Sequence, residues 1–145
     1  MIRTSRRIRL CTALLICLLV FIWGNSLMPG TVSQAISNFV QQLLSGKTIR
    51  PEEVPEGSGI LRKLAHFTEF AALGMLLCWL AGMLRRGWKS ALLSGAAVAC
   101  IDETIQAFVP GRAPRLLDVC IDSLGVVTGI VLILLGHTYL KKKTV

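Results

Sequence analysis

The chain has 145 residues, of which 53% are hydrophobic, and its mean hydropathy is +0.64. This composition is too apolar for an ordinary soluble domain of this length, and it favours a small polytopic membrane protein. A net charge of +8 would suggest a nucleic-acid partner in a soluble protein. Here the basic residues mostly flank apolar runs, which indicates membrane topology and predicts no binding to nucleic acid.

We predict an all-α membrane protein, a single domain over residues 1–145, with four transmembrane helices. The first span covers residues 10–28 and contains no charged residue. Its apolar run is longer than the about 7 to 15 residues of a signal-peptide core, and no cleavage motif follows, so a retained anchor is favoured. The other spans cover residues 60–84, 88–109 and 116–140, and each is long enough to cross a hydrocarbon core about 30 Å thick.

The longest connection lies between the first two spans. Over about residues 31–45 the apolar side chains recur at helical spacing, and Ser, Asn and Gln fill the opposite side. This pattern predicts an amphipathic helix that lies in the outer membrane interface, or alternatively one that packs over the ends of the spans. Residues 47–59, which include Pro51 and Pro55, have the composition of an irregular linker.

Four spans place both termini on one side of the membrane, and the basic residues indicate which side. Ten Lys and Arg residues fall on the side of the termini: Arg3, Arg6, Arg7, Arg9, Arg85, Arg86, Lys89, Lys141, Lys142 and Lys143. Six fall on the other side: Lys47, Arg50, Arg62, Lys63, Arg112 and Arg115. Because cytoplasmic loops carry the excess of basic residues, both termini are predicted to be cytoplasmic. All eight carboxylates then lie in the outer half.

Five of these carboxylates fall inside predicted spans, where each ionisable residue costs about 2.5 to 3.5 kcal/mol to insert. Glu69, Asp102 and Asp122 lie on three different predicted spans. At a rise of about 1.5 Å per residue, each lies roughly 10 Å below the outer end of its helix. Three helices therefore bring acidic groups to one level. The polar residues expected to meet there are His66, Glu69, Asp102, Glu103, Gln106, Asp118 and Asp122.

The turn over residues 109–115 would hold Arg112 above this level. Its prolines restrict the backbone, Gly111 permits a tight bend, and Arg suits bidentate binding of phosphate or carboxylate. We therefore predict an outward-facing ligand site that consists of Arg112 and the seven residues above. Some of these residues have an alternative interpretation in which they bind no ligand. The Asp118 side chain would then extend into the lipid head groups, Arg112 and Arg115 would be anchors at the membrane interface, and His66 would be a core histidine.

Three segments of the sequence carry a resemblance to a known family. They are Lys63-Leu64-Ala65-His66-Phe67-Thr68-Glu69-Phe70 with Leu73-Gly74, Asp102-Glu103-Thr104-Ile105-Gln106-Ala107-Phe108 with Pro110-Gly111-Arg112, and Asp118-Val119 with Gly125 and Gly129. On these segments the chain resembles the VanZ-like family of small bacterial membrane proteins, named for a teicoplanin-resistance protein, over residues 61–129. It departs from the family pattern at Phe70, where Tyr is common, and at Asp122, where Asn is common. The resemblance implies a membrane fold, the bacterial cytoplasmic membrane and a link to glycopeptide resistance, with no assigned reaction.

The leading functional hypothesis is a pocket that engages the head group of a membrane lipid or a lipid-linked cell-wall intermediate, and so alters susceptibility to teicoplanin. The alternative is an enzyme that uses a divalent metal on a lipid phosphate, although no H-E-x-x-H, P-loop or G-x-S-x-G motif is present. A proton-coupled or small-solute transporter is the third, although no ionisable residue continues a path inward. We predict no cofactor unless the enzyme hypothesis holds, and the sequence leaves the oligomeric state open.

Overall fold

The computed structural model describes residues 2–46, 58–113 and 115–143, and these residues form five α-helices and no strand. The all-α prediction is thereby confirmed for this part of the chain. The helices are α1 (Ile2–Ser26), α2 (Gly30–Ser45), α3 (Ser58–Met83), α4 (Trp88–Ala107) and α5 (Leu116–Lys143). The predicted linker falls almost entirely outside the described residues, as do Pro114 and five charged residues used above, Lys47, Arg50, Glu52, Glu53 and Glu56.

Among the described residues, three helices are long and apolar enough to cross a membrane. α4 has 20 residues but is not one of the three; it carries Lys89 near its start and the adjacent pair Asp102 and Glu103 near its end. Both acidic side chains are buried inside the bundle. The three candidate spans are Ser5–Ser26, Gly59–Met83 and Leu116–Lys143.

Helix α1 ends two residues before the predicted span does. After Ser26 the backbone forms a turn, in which the N–H groups of Leu27 and Met28 donate to the carbonyls of Trp23 and Asn25 at 2.9 and 3.2 Å. Helix α4 likewise ends at Ala107 rather than two residues later. The last turns of α1 and α4 carry polar side chains that lie next to one another, and the Gln106 amide donates to the Ser26 hydroxyl at 3.4 Å.

The centre of the bundle is the contact between α3 and α5, which is the most extensive helix pairing in the structure. The backbone at Gly129 of α5 lies against the carbonyl of Ala71, and the backbone at Gly74 of α3 lies against that of Val126. Neither glycine has room for a Cβ, so the two helix backbones meet directly. Gly125 also lies against the backbone of α3, so the Gly125-x-x-x-Gly129 spacing on α5 corresponds to close helix packing.

Helix α4 packs against both α3 and α5, and α1 packs against α3 and α4. These four helices enclose a core that consists entirely of apolar side chains. The polar residues of the predicted site lie at one end of this core. The buried core residues are Ile22, Phe70, Leu73, Cys78, Ala81, Ala91, Ala99, Val126 and Ile130.

Helix α2 contacts α3 and turns its polar side toward the bundle. It contains no buried residue, and it ends at Gly46, whose φ of 64° is left-handed and whose N–H donates to the carbonyl of Gln42. The helix itself is thus confirmed, whereas its place in a membrane interface stays a prediction. Its exposed apolar residues are Val32, Ile36, Phe39, Val40, Leu43 and Leu44, and its partly buried polar residues include Ser33, Gln34, Ser37 and Asn38.

Candidate functional site

Asp102 is the centre of the polar cluster and is fully buried. One carboxylate oxygen, Oδ1, accepts a hydrogen bond from the Ser26 hydroxyl at 2.7 Å. The other, Oδ2, accepts from the Gln106 amide at 2.8 Å, one helical turn along α4. These hydrogen bonds fix the orientation of Asp102 and tie the end of α1 to α4.

His66 joins this centre to α5. Its Nδ1 lies 4.0 Å from Oδ2 of Asp102 and 3.7 Å from Oδ1 of Asp122. Asp122 is 1% exposed, and neither of its carboxylate oxygens has a hydrogen-bond partner within the described residues. One ligand atom from each of these three residues lies within 4.8 Å of the others, so the group has the arrangement of a metal site.

The other three predicted carboxylates surround this group without joining it. Glu69 accepts a hydrogen bond from the Asn25 amide at 3.1 Å, and Glu103 accepts one from the backbone N–H of Arg115 at 2.9 Å. Asp118 lines the same small cavity as His66 and Asp122. Each of the three has one buried oxygen without a partner in the described part of the chain.

Arg112 lies over the cluster, as the sequence predicts, but its side chain binds the end of α1. Nε donates to the carbonyl of Met28 at 3.0 Å, and Nη2 donates to that of Asn25 at 2.9 Å. A cation at a helix C-terminus stabilises the carbonyls that have no partner within the helix. Burial, and secondarily the nearby Arg62, lower the pKa of Arg112 from its ordinary value, yet an arginine remains cationic at neutral pH.

The backbone of the turn before Arg112 is fixed by contact with the start of α2. The N–H of Gly30 donates to the carbonyl of Pro110 at 3.1 Å, and the Gly30 backbone lies directly against Gly111. Gly111 has a φ of 75°, a conformation that residues with a Cβ rarely adopt. The expectation that Gly111 permits the tight bend holding Arg112 is therefore confirmed.

Three cavities meet at Arg62. The smallest, of about 10 Å³, lies beside His66 and Asp122. A second, of about 210 Å³, lies between α1, α2 and α3, and a third, of about 350 Å³, lies under the turn that carries Arg112. Arg62 lines all three, and within the described residues its side chain has no hydrogen bond or ion pair.

The structure therefore divides the eight predicted site residues by position. His66, Asp102, Gln106 and Asp122 form the connected centre, and their binding of a ligand remains a prediction. Glu103 and Asp118 line the small cavity beside that centre, whereas Glu69 and Arg112 line the cavity next to α2.

The sequence prediction missed Asn25, Ser26 and Arg62. Asn25 and Ser26 are adjacent polar residues in the last turn of an otherwise apolar span, and this interruption was the available signal. Arg62 lies four residues before His66, on the same face of α3, but is not among the predicted site residues. The prediction starts from ionisable residues within spans, and the first predicted span contains no charged residue, so it could not find Asn25 or Ser26.

No curated protein and no solved structure matches this chain. A family model described as VanZ/LLP1 matches residues 11–137, a range that contains every residue of the polar cluster. The resemblance stated from the sequence motifs is thereby confirmed. The match covers most of the chain, and the chain belongs to the VanZ/LLP1 family.

Proposed function

We propose that this protein binds the anionic head group of a lipid or lipid-linked cell-envelope intermediate in the cavities around Arg62, and that it thereby lowers susceptibility to teicoplanin. We further propose that it crosses the bacterial cytoplasmic membrane four times with both termini in the cytoplasm. The observation that carries the proposal is Arg62, a cation without a partner in the described residues at the junction of three cavities.

The two larger cavities differ in a way that suits an amphipathic ligand. The cavity of about 350 Å³ is lined by three arginines, Arg62, Arg112 and Arg115, which favour an anion. The cavity of about 210 Å³ has a mixed lining, and its apolar part includes Ile36 and Val40 of α2 and Leu61 of α3. A head group held at Arg62 could therefore extend an apolar chain between α2 and α3.

Helix α4 supplies the fourth proposed span. Its buried residues begin at Ala91, near its start, and continue to Gln106, near its end, so one face follows α3 and α5 along its whole length. At about 1.5 Å per residue, its 20 residues extend about 30 Å, the thickness of a hydrocarbon core. Because Asp102 and Glu103 face the bundle, neither would meet lipid.

Impermeant maleimide labelling tests the fourth span. In a cysteine-free background, Ala113→Cys is expected to react in intact cells, whereas Gly87→Cys is expected to react only after permeabilisation. Gly87 and Ala113 are exposed and flank α4, and a Cβ at Gly87 meets no atom within 4 Å. Equal labelling of both cysteines in intact cells would contradict a crossing by α4.

Arg62→Ala is expected to lower the amount of co-purified anionic lipid at least about tenfold, because one charge-assisted contact is worth about 1.5 to 3 kcal/mol. The measurement is lipid analysis by mass spectrometry of protein purified in mild detergent. Arg86→Ala is the matched control, since Arg86 is an exposed arginine at the other end of α3. Equal lipid content in the wild type and Arg62→Ala would remove the proposed site.

The resistance part of the proposal is tested in cells. Cells that express Arg62→Ala are expected to become as sensitive to teicoplanin as cells without the protein, while Arg86→Ala keeps the wild-type susceptibility. Membrane abundance must be measured in parallel, so that lost protein is not mistaken for a lost site. Lipid binding without any change in teicoplanin susceptibility would retain the binding site and reject its link to resistance.

The structure adds no support for a transporter. A path across the bundle would have to continue below His66 and Asp122. The buried residues in that direction, Leu73, Val126 and Ile130 among them, are apolar. The described part of the bundle thus has a polar site at one end and a closed core beneath it.

A further inference from the structure

Asp122 has no neighbour in the described residues that satisfies its carboxylate. Its side chain is 1% exposed, and both oxygens lack a hydrogen-bond partner. Removing a carboxylate from water is strongly unfavourable unless a cation or several donors replace the lost hydration. Among the described residues, the basic group recorded next to this carboxylate is the imidazole of His66, whose Nδ1 lies 3.7 Å from Oδ1.

The atoms around Asp122 lie near the separation that a bound metal ion requires. Its Oδ1 lies 3.7 Å from Nδ1 of His66, which in turn lies 4.0 Å from Oδ2 of Asp102, and ligand atoms of all three residues lie within 4.8 Å of one another. Ligand atoms at about 2.1 Å from a tetrahedral ion are about 3.4 Å apart. Movements of up to about 1 Å would therefore bring all three atoms into coordination distance.

Neighbouring side chains hold Asp102 in a fixed orientation for this role. Ser26 and Gln106 donate to its two oxygens, and such hydrogen bonds typically orient a carboxylate that binds a metal. The cavity of about 10 Å³ next to His66 and Asp122 has room for about one water molecule, which could occupy an open coordination position.

We propose that His66, Asp102 and Asp122 bind a divalent transition-metal ion, Mn²⁺ or Zn²⁺. Two carboxylates match the charge of a dication, and the neutral imidazole supplies a nitrogen ligand. Mg²⁺ and Ca²⁺ prefer sites made entirely of oxygen, whereas imidazole suits the transition metals. Metal binding at these residues does not require that the cavities around Arg62 hold a lipid.

Direct metal analysis tests this site. Protein purified in mild detergent is stripped with EDTA, dialysed against Mn²⁺ or Zn²⁺, and analysed for bound metal by mass spectrometry. We expect about one ion per chain for the wild type, and an affinity at least about tenfold weaker for Asp122→Asn, since loss of an outer partner alone has that effect. Arg86→Ala, a change at an exposed residue outside the polar cluster, is the control and should bind metal like the wild type.

Electron paramagnetic resonance of the Mn²⁺-loaded wild type provides a second readout that needs no variant to fold. A nitrogen coupling from imidazole is expected, and His66→Gln should abolish it while circular dichroism shows unchanged helix content. The site is overturned by a wild type that binds no ion, by an ion without nitrogen coupling, or by a folded Asp122→Asn that binds metal like the wild type.

Discussion

Gly129→Leu is expected to separate α3 from α5 and to produce the largest loss of stability among the substitutions considered. A Cβ at this position meets the carbonyl of Ala71 and the backbone N–H of Met75. A backbone cannot move aside as a flexible side chain can, so overpacking should cost at least about 1 to 3 kcal/mol. The measurement is the thermal unfolding midpoint in detergent, followed by tryptophan fluorescence.

Gly136→Leu is the matched control on the same helix. A Cβ at Gly136 meets no atom within 4 Å, so the added side chain should extend outward without displacing α3. We expect the midpoint of this variant to stay within a few degrees of the wild type. Similar midpoints for the wild type and Gly129→Leu would show that the two backbones are not in direct contact.

Arg112→Ala is expected to give the second-largest effect, because it removes both hydrogen bonds from the guanidinium to the end of α1. The carbonyls of Asn25 and Met28 would lose a charged donor, which costs about 1.5 to 3 kcal/mol. Asn25 would then hold Glu69 less firmly. Arg112→Lys should restore only part of the stability, since an ammonium group does not reproduce the planar fork of the guanidinium.

For the unfolding midpoint of Arg112→Ala, the control is Arg115→Ala. Arg115 is exposed, and only its backbone N–H donates to Glu103, so alanine keeps that hydrogen bond. Unfolding midpoints and lipid content measured together separate two roles for Arg112. A lower midpoint supports the structural role, whereas an unchanged midpoint with lost lipid would support the ligand role that the sequence predicts.

Much of the fold could be predicted from sequence because apolar periodicity and helix punctuation are local signals. The apolar run over residues 10–28 located the end of α1 to within two residues, and the amphipathic pattern over about residues 31–45 has the same end as α2. Burial of acidic residues at one level was also predictable, since a constant rise per residue converts sequence position into depth. That reasoning correctly brought Asp102 and Asp122 together.

The sequence could not show which partner each polar group binds. An arginine that binds the end of a helix and one that binds an anion have the same sequence signature, so the hydrogen bonds of Arg112 were not predictable. Asn25 and Ser26 were missed because depth calculations consider charge, while their hydrogen bonds depend on which face of α1 meets α4 and α3. Which helix faces meet is determined by how the whole bundle packs.

Helix α2 turns its polar side toward the bundle, and this orientation should make ligand affinity depend on the lipid or detergent around the protein. Because α2 buries no residue, little of the free energy that holds it comes from apolar contact with the bundle. An apolar medium, such as lipid or detergent, should stabilise its six exposed apolar side chains. The medium should therefore help to set the width of the cavity of about 210 Å³ that α2 and Arg62 line. Affinities measured in nanodiscs of different lipid composition should therefore differ from one another and from those in micelles.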